Sequence, residues 1–134
     1  EEVAVVKSTT SNNTQSINSL FSSEEIVAAQ KLVRKIPVAE NVIEYAVGLV
    51  GKTRPKSKAA PTLVTSYLDW GAGPRASQSL ILAAKAHAVV NGKFSPDIED
   101  VKAVAIPILS HRIVKNYKAE AEGITISDII KSLL

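Results

Sequence analysis

The sequence predicts an all-α protein, a small bundle of about five helices behind a flexible leader. Three observations carry this. Apolar residues make up 46% of the 134 but aromatics only 4%, so the core must be built from Ala, Val, Ile and Leu, a mixture suited to closely packed helices. Apolar positions recur in four stretches at the three- and four-residue spacing that places them on one face of a helix. Three of those stretches open on Ser, Asp or Pro, residues that satisfy or tolerate the free N–H groups of a helix start. A chain of this length fits one domain and buries roughly two-thirds of its unfolded surface.

Residues 1–21 form the leader. Glu1 to Lys7 reads as a short extended segment, and Ser8 to Ser19 is a Ser/Thr/Asn-rich run with the composition of a linker. The helical domain spans 22–134. Ser22 and Glu25 have capping-box spacing, followed by Ile26, Ala29, Val33 and Ile36 on one face. Pro37 pushes Ile36 out of helical geometry and ends this first helix. The second runs from about Ala39 to Thr53, with Ile43, Ala46, Val47 and Val50 inward and Glu40 and Glu44 outward. Lys52 and Arg54 complement the negative end of its dipole.

Lys56 to Trp70 is the longest connection, and its β-branched part, Thr62 to Tyr67, reads as extended. The third helix, Pro74 to about Val90, carries Ala76, Leu80, Ala83, His87 and Val90 on one stripe, with Leu82 and Ala86 adding a second apolar face. A helix apolar on most sides is central in its domain. Asn91-Gly92 supplies its C-cap. The fourth helix starts at Ser95-Pro96-Asp97 with Ser95 as cap, and buries Val101, Val104, Ala105, Ile108 and Leu109. Pro107 predicts a kink or an early end. Ser127 is the expected cap of a last short helix, Asp128 to Leu134.

Composition excludes several functions. Without cysteine there is no disulfide, thiol nucleophile or zinc finger, and with only His87 and His111 a transition-metal site is not expected. No apolar run reaches the ~20 residues of a membrane span, and the default location is the cytoplasm. The chain has no methionine, and Glu1 and Glu2 are not residues that favour initiator removal. A piece of a longer protein is therefore expected. The net charge of +3 is mild, and Lys52, Arg54, Lys56 and Lys58 form its one basic cluster. A nucleic-acid partner would call for a broader basic face or aromatic platforms, so none is expected.

No enzyme motif is present, and no Gly-rich loop precedes a Lys-Ser/Thr pair. Asp97, Glu99 and Asp100 are explained by the dipole of the helix they open, His87 by the apolar boundary, and Glu120 and Glu122 by a solvated face. His111 and Arg112 are ordinary company for a helix C-terminus, although they could reach an anion. What remains is Gly71-Ala72-Gly73-Pro74-Arg75-Ala76-Ser77. Pro74 suits the first helical position, the glycines permit a sharp turn and a close approach, and Arg75 stands beside free N–H groups. That combination can bind an anion, and the planar fork of arginine can take two phosphate oxygens at once.

The same heptapeptide, followed by Ala83-Ala84-Lys85-Ala86, resembles the lid subdomain of MoxR-type AAA+ ATPases. Ile98 to Ala105 with Pro107, Leu109, His111 and Arg112 is similar to that lid in the same order, as are Glu44-Tyr45 to Thr53-Arg54 upstream and Ala119 to Gly123 downstream. The resemblance covers about residues 22–134. It implies a helical bundle C-terminal to a nucleotide-binding core, with Arg75 as the sensor 2 arginine that reaches the γ-phosphate of ATP, and Gly73 and Ala76 beside it. The family often has Ser where Gly73 stands here. ATP and Mg2+ would be cofactors of the full-length protein, its core and a homo-oligomeric ring the immediate partners, and chaperone-like remodelling of other proteins the function. The fragment alone would be inactive, since Walker A, Walker B, sensor 1 and the arginine finger are implied upstream. The alternative is a helical nucleic-acid or protein-interaction module using Lys52 to Lys58.

Overall fold

A computed structural model describes residues 1–12 and 18–134. Its described residues are mainly helical: α1 (Glu2–Thr9), α2 (Ser23–Lys35), α3 (Glu40–Lys52), α4 (Thr62–Tyr67), α5 (Pro74–Val90), α6 (Ile98–Leu109), α7 (Tyr117–Ala121) and α8 (Ile126–Leu133). A 3-10 turn, Ser110–Arg112, follows α6. Two short strands, β1 (Leu68–Trp70) and β2 (Val114–Lys115), pair antiparallel with Leu68 opposite Lys115 and Trp70 opposite Val114. The all-α expectation holds, with this small ribbon added.

The centre of the bundle is α5, which packs on α6, α3 and α2. Its buried face is Ala76, Leu80, Ala84 and Ala88, a four-residue repeat rich in alanine. Small side chains let the α6 backbone come close, and Val101, Ala105 and Leu109 of α6 present a matching repeat. Leu49 and Val50 of α3, Val64 of α4, and Ile129 and Ile130 of α8 close the core. Each such side chain contributes roughly 1.5–3 kcal/mol when fully buried.

Two helix starts follow their expected chemistry. Ser22 accepts from the Glu25 N–H while the Glu25 carboxylate accepts from the Ser22 N–H, a complete capping box. Pro74 opens α5 behind Gly73. The C-terminus of α5 is a Schellman turn: Gly92, at φ +74°, donates to the Val89 carbonyl, and Lys93 to that of Ala88. Pro107 does not end α6 at once: it lies inside the helix, which runs two residues further to Leu109 before the 3-10 turn takes over.

Other expectations need correction. Glu2–Thr9 is helical rather than extended, although it buries no residue. The Ser8–Ser19 linker falls partly outside the described residues. Thr62–Tyr67 is helix, not strand, and the extended segment is the following Leu68–Trp70. On α3 the inward set is Val42, Ala46, Leu49 and Val50, while Val47 is exposed. On α5, Ala84 and Ala88 take the buried places assigned to Ala83 and His87, and Val90 is exposed. On α6, Val104 and Ile108 are only half-buried. The cap of α6 is Asp97, not Ser95, whose hydroxyl donates to the Pro37 carbonyl at 3.2 Å. That of α8 is Thr125, which forms a capping box with Asp128, not Ser127.

Candidate functional site

Arg75 sits in the first turn of α5, exposed, and among the described residues its guanidinium has no hydrogen bond or ion pair. The backbone that carries it is fixed from behind. Thr53, fully buried at the end of α3, donates its hydroxyl to the Val50 carbonyl at 2.7 Å and accepts from the Ala72 N–H at 2.9 Å. Arg54 Nε donates to the Ala72 carbonyl at 2.9 Å. Between these contacts lies Gly71, where a Cβ would overlap the Thr53 carbonyl and the Arg54 backbone. The close approach expected of the glycines therefore belongs to Gly71 alone. Nothing lies within 4 Å of a Cβ on Gly73, whose φ of −83° and ψ of 176° any residue could adopt.

Gly73 caps α5 without a side chain, and its carbonyl accepts the Ala76 N–H at 2.9 Å. Ala76 itself points into the core, fully buried. Of the three positions Gly73, Arg75 and Ala76, only Arg75 thus presents a free side-chain donor to the outside. One turn further, Ser79 donates its hydroxyl to the Arg75 carbonyl at 3.0 Å and accepts from Arg112 Nη2 at 3.2 Å. Arg112 is half-buried with its Nε unpartnered, whereas His111 is exposed. Ser79 also lines an open cleft of roughly 530 Å3 between α2 and α5, with Arg34, Gln78 and Lys85 as its other polar side chains. The cationic character of this edge suits a phosphate or carboxylate.

Two groups behave differently from their sequence reading. Arg54 is a staple of the Gly71–Gly73 loop and not a free member of the basic cluster, leaving Lys52, Lys56 and Lys58 exposed. Asp100 does more than offset the dipole of the helix it opens. It is 1% exposed, accepts from His87 Nδ1 at 2.7 Å and Lys93 Nζ at 3.1 Å, and completes a capping box with Asp97. Burial alone would push its carboxyl up, but the Asp97 N–H, His87 and Lys93 outweigh this and hold it at about 2. Lys93 in turn is raised by its bonds to Asp97 and Asp100. The available signal was the Asp97-x-x-Asp100 spacing, which is a capping box in acidic form. Among the described residues no group of three or more His, Asp or Glu side chains is placed to hold a metal. Nor is any helix among them long and apolar enough to cross a membrane.

The arrangement of helices and loop can now be compared with known proteins. The sequence profile of the AAA lid domain matches residues 60–133, more than half of the chain. The chain belongs to the AAA lid domain family. Over 115 residues this lid domain is 30% identical to the chaperone MoxR1 of Mycobacterium tuberculosis, covering 86% of the chain and 30% of that protein. It is 24% identical over 120 residues to the uncharacterized protein YeaC of Bacillus subtilis, covering 90% of the chain and 35% of YeaC. A crystal structure of a candidate ATPase from Cytophaga hutchinsonii superposes with a TM-score of 0.85 at 32% identity, covering 98% of this lid domain and 40% of that chain. The lid domain thus spans about a third of the length of the curated relatives it matches.

Proposed function

We propose that this domain is the lid of a MoxR-like AAA+ ATPase, and that it closes over ATP bound to a core domain and supplies Arg75 as the sensor 2 arginine. The observation that carries this reading is the state of Arg75: a solvent-facing guanidinium without an internal partner, on a helix start held rigid by Thr53, Arg54 and the Gly71 contact. A donor-only, planar, permanently charged group in that position fits phosphate oxygens. Phosphoryl transfer relies on positioning and on stabilising charge spread over the transferred group, which are contributions a fixed guanidinium can make. Mg2+ would neutralise charge on the phosphates, and its ligands would belong to the core in this reading.

The basic residues Lys52, Lys56 and Lys58 are exposed, and no observation raises them to a nucleic-acid surface. The core and neighbouring copies in a ring are the partners that this function calls for, and chaperone-like remodelling of other proteins is the activity it would serve. Exposed Phe21, Ile26 and Val27 at the start of α2 support a lid that packs on another domain, since such apolar surface marks contact sites. In the ATPase that contains this lid, Arg75→Ala is expected to lose most ATP turnover. Supplied arginines in related chemistry contribute ~10³–10⁵ in rate, and a loss of at least tenfold is expected here. Turnover within twofold of wild type would remove Arg75 from the role.

A further inference from the structure

We propose that Arg112 and Ser79 are positioning residues for Arg75, setting the direction in which its guanidinium leaves the first turn of α5. The inference rests on the assignment of Arg75 to the nucleotide phosphates. Arg112 lies in the 3-10 turn after α6, and Ser79 lies one turn beyond Arg75 on α5. Arg112 Nη2 donates to Ser79 Oγ at 3.2 Å, and Ser79 Oγ donates to the Arg75 carbonyl at 3.0 Å. A hydroxyl has one proton and two lone pairs, and a guanidinium can only donate. Arg112 therefore occupies a lone pair and leaves the serine proton for the Arg75 carbonyl. The two bonds form one directed chain, from the end of α6 to the peptide group that follows Arg75.

That chain acts where direction matters. A serine bonding back to the carbonyl four residues earlier tilts the carbonyl and bends the local helix. Here the carbonyl that accepts the serine bond belongs to Arg75 itself. The chemistry of Arg112 fits such a role better than that of a simple strut. A structural arginine ordinarily spends its fork on a carboxylate, in two parallel bonds. Among the described residues Arg112 has no carboxylate partner, and its Nε is buried without an acceptor. Unsatisfied buried groups of this kind are uncommon and call for a reason. The cleft beside Ser79 contributes Arg34 and Lys85 and no acid, so no internal carboxylate draws Arg75 away from the outside.

The test is a double-mutant cycle on kcat in the ATPase that contains this lid, with Arg75→Ala, Arg112→Ala and the pair. Misplacing a positioning group by about 1 Å can cost on the order of 100-fold, so Arg112→Ala is expected to lower kcat by roughly 10- to 100-fold. In the Arg75→Ala background it should lower kcat no further, because there is no guanidinium left to aim. Ser79→Ala should act in the same direction and lose its effect in the same background, whereas Ser79→Thr, which keeps the hydroxyl, should restore turnover. If Arg112→Ala fails to fold, the Ser79→Ala cycle decides alone. Effects that multiply across the cycle, or wild-type kcat in both Arg112→Ala and Ser79→Ala, would overturn the positioning role. Wild-type turnover in Arg75→Ala alone is a separate result that overturns the phosphate assignment instead.

Discussion

Asp100 is a carboxylate taken almost wholly out of water, 1% exposed and held by three donors at once: the Asp97 N–H, His87 and Lys93. Removing an ion from water is costly, and it is tolerated only where hydrogen bonds and opposite charge replace the lost hydration. Here those donors outweigh burial and hold the carboxyl at about 2, below the 3.8 of the free side chain. The sign follows from that depression: the ionised form is favoured by folding, so its contribution is present above pH ~4 and is lost as pH falls towards 2. The interval corresponds to roughly 2 kcal/mol. In an acid titration of the isolated domain followed by circular dichroism, most of the stability loss assignable to this site should fall between pH 4 and 2, and Asp100→Asn should flatten that part of the curve. An unchanged curve in Asp100→Asn would show that another carboxylate governs the acid limb. His87 is one of the donors to this structural carboxylate, a partnership that its position on the apolar boundary did not announce.

The element that carries the proposed role is α5, and its weakest point is its start. Gly73 offers no side-chain acceptor, so the free N–H groups of the first turn are left to the Gly73 carbonyl and to solvent. The open space around it and its ordinary φ mean that serine would fit there unstrained. Gly73→Ser is expected to raise the stability of the domain by about 0.5 kcal/mol, measured by urea denaturation, through a new cap and a less flexible unfolded chain. A destabilised variant would show that the glycine is required for a reason the local geometry does not contain. This helix was also the most legible in the sequence: Pro74 and Asn91-Gly92 bracket it, and both ends lie where those residues imply. Legibility failed where tertiary contacts decide. Thr62–Tyr67 has β-branched residues and no side-chain cap, yet it is helical because Val64 is drawn into the core. Asn116 then receives Ser66 and Tyr67 by bonding to both their carbonyls. The buried stripe of α5 runs through Ala84 and Ala88 because α6 meets the helix where side chains are smallest, which periodicity alone cannot distinguish from the Ala83 and His87 stripe. The Arg112–Ser79 contact joins residues 33 apart in the chain, and no local spacing could announce it.

At the scale of the whole domain, the Arg75 turn belongs to the same packed unit as the core. Ala76 and Leu80 follow it directly into the centre, Ala72 is buried just before it, and Thr53 and Arg54 brace the loop from α3. The backbone that carries Arg75, so braced, cannot shift without the bundle moving as well, which suits the lid motion proposed for this domain. The sequence motif Gly71–Ser77 identified the turn and the fold supplied its bracing, but the phosphate that Arg75 is proposed to meet lies outside this chain. The most direct measurement is therefore the structure of the complete ATPase bound to a non-hydrolysable ATP analogue, read as the distance from the Arg75 guanidinium to the nearest γ-phosphate oxygen. The account predicts a charge-assisted hydrogen bond at about 2.7–2.9 Å in the closed state. A closed, nucleotide-filled site with Arg75 more than about 6 Å from every phosphate oxygen, beyond the reach of a direct contact or a single bridging water, would contradict it.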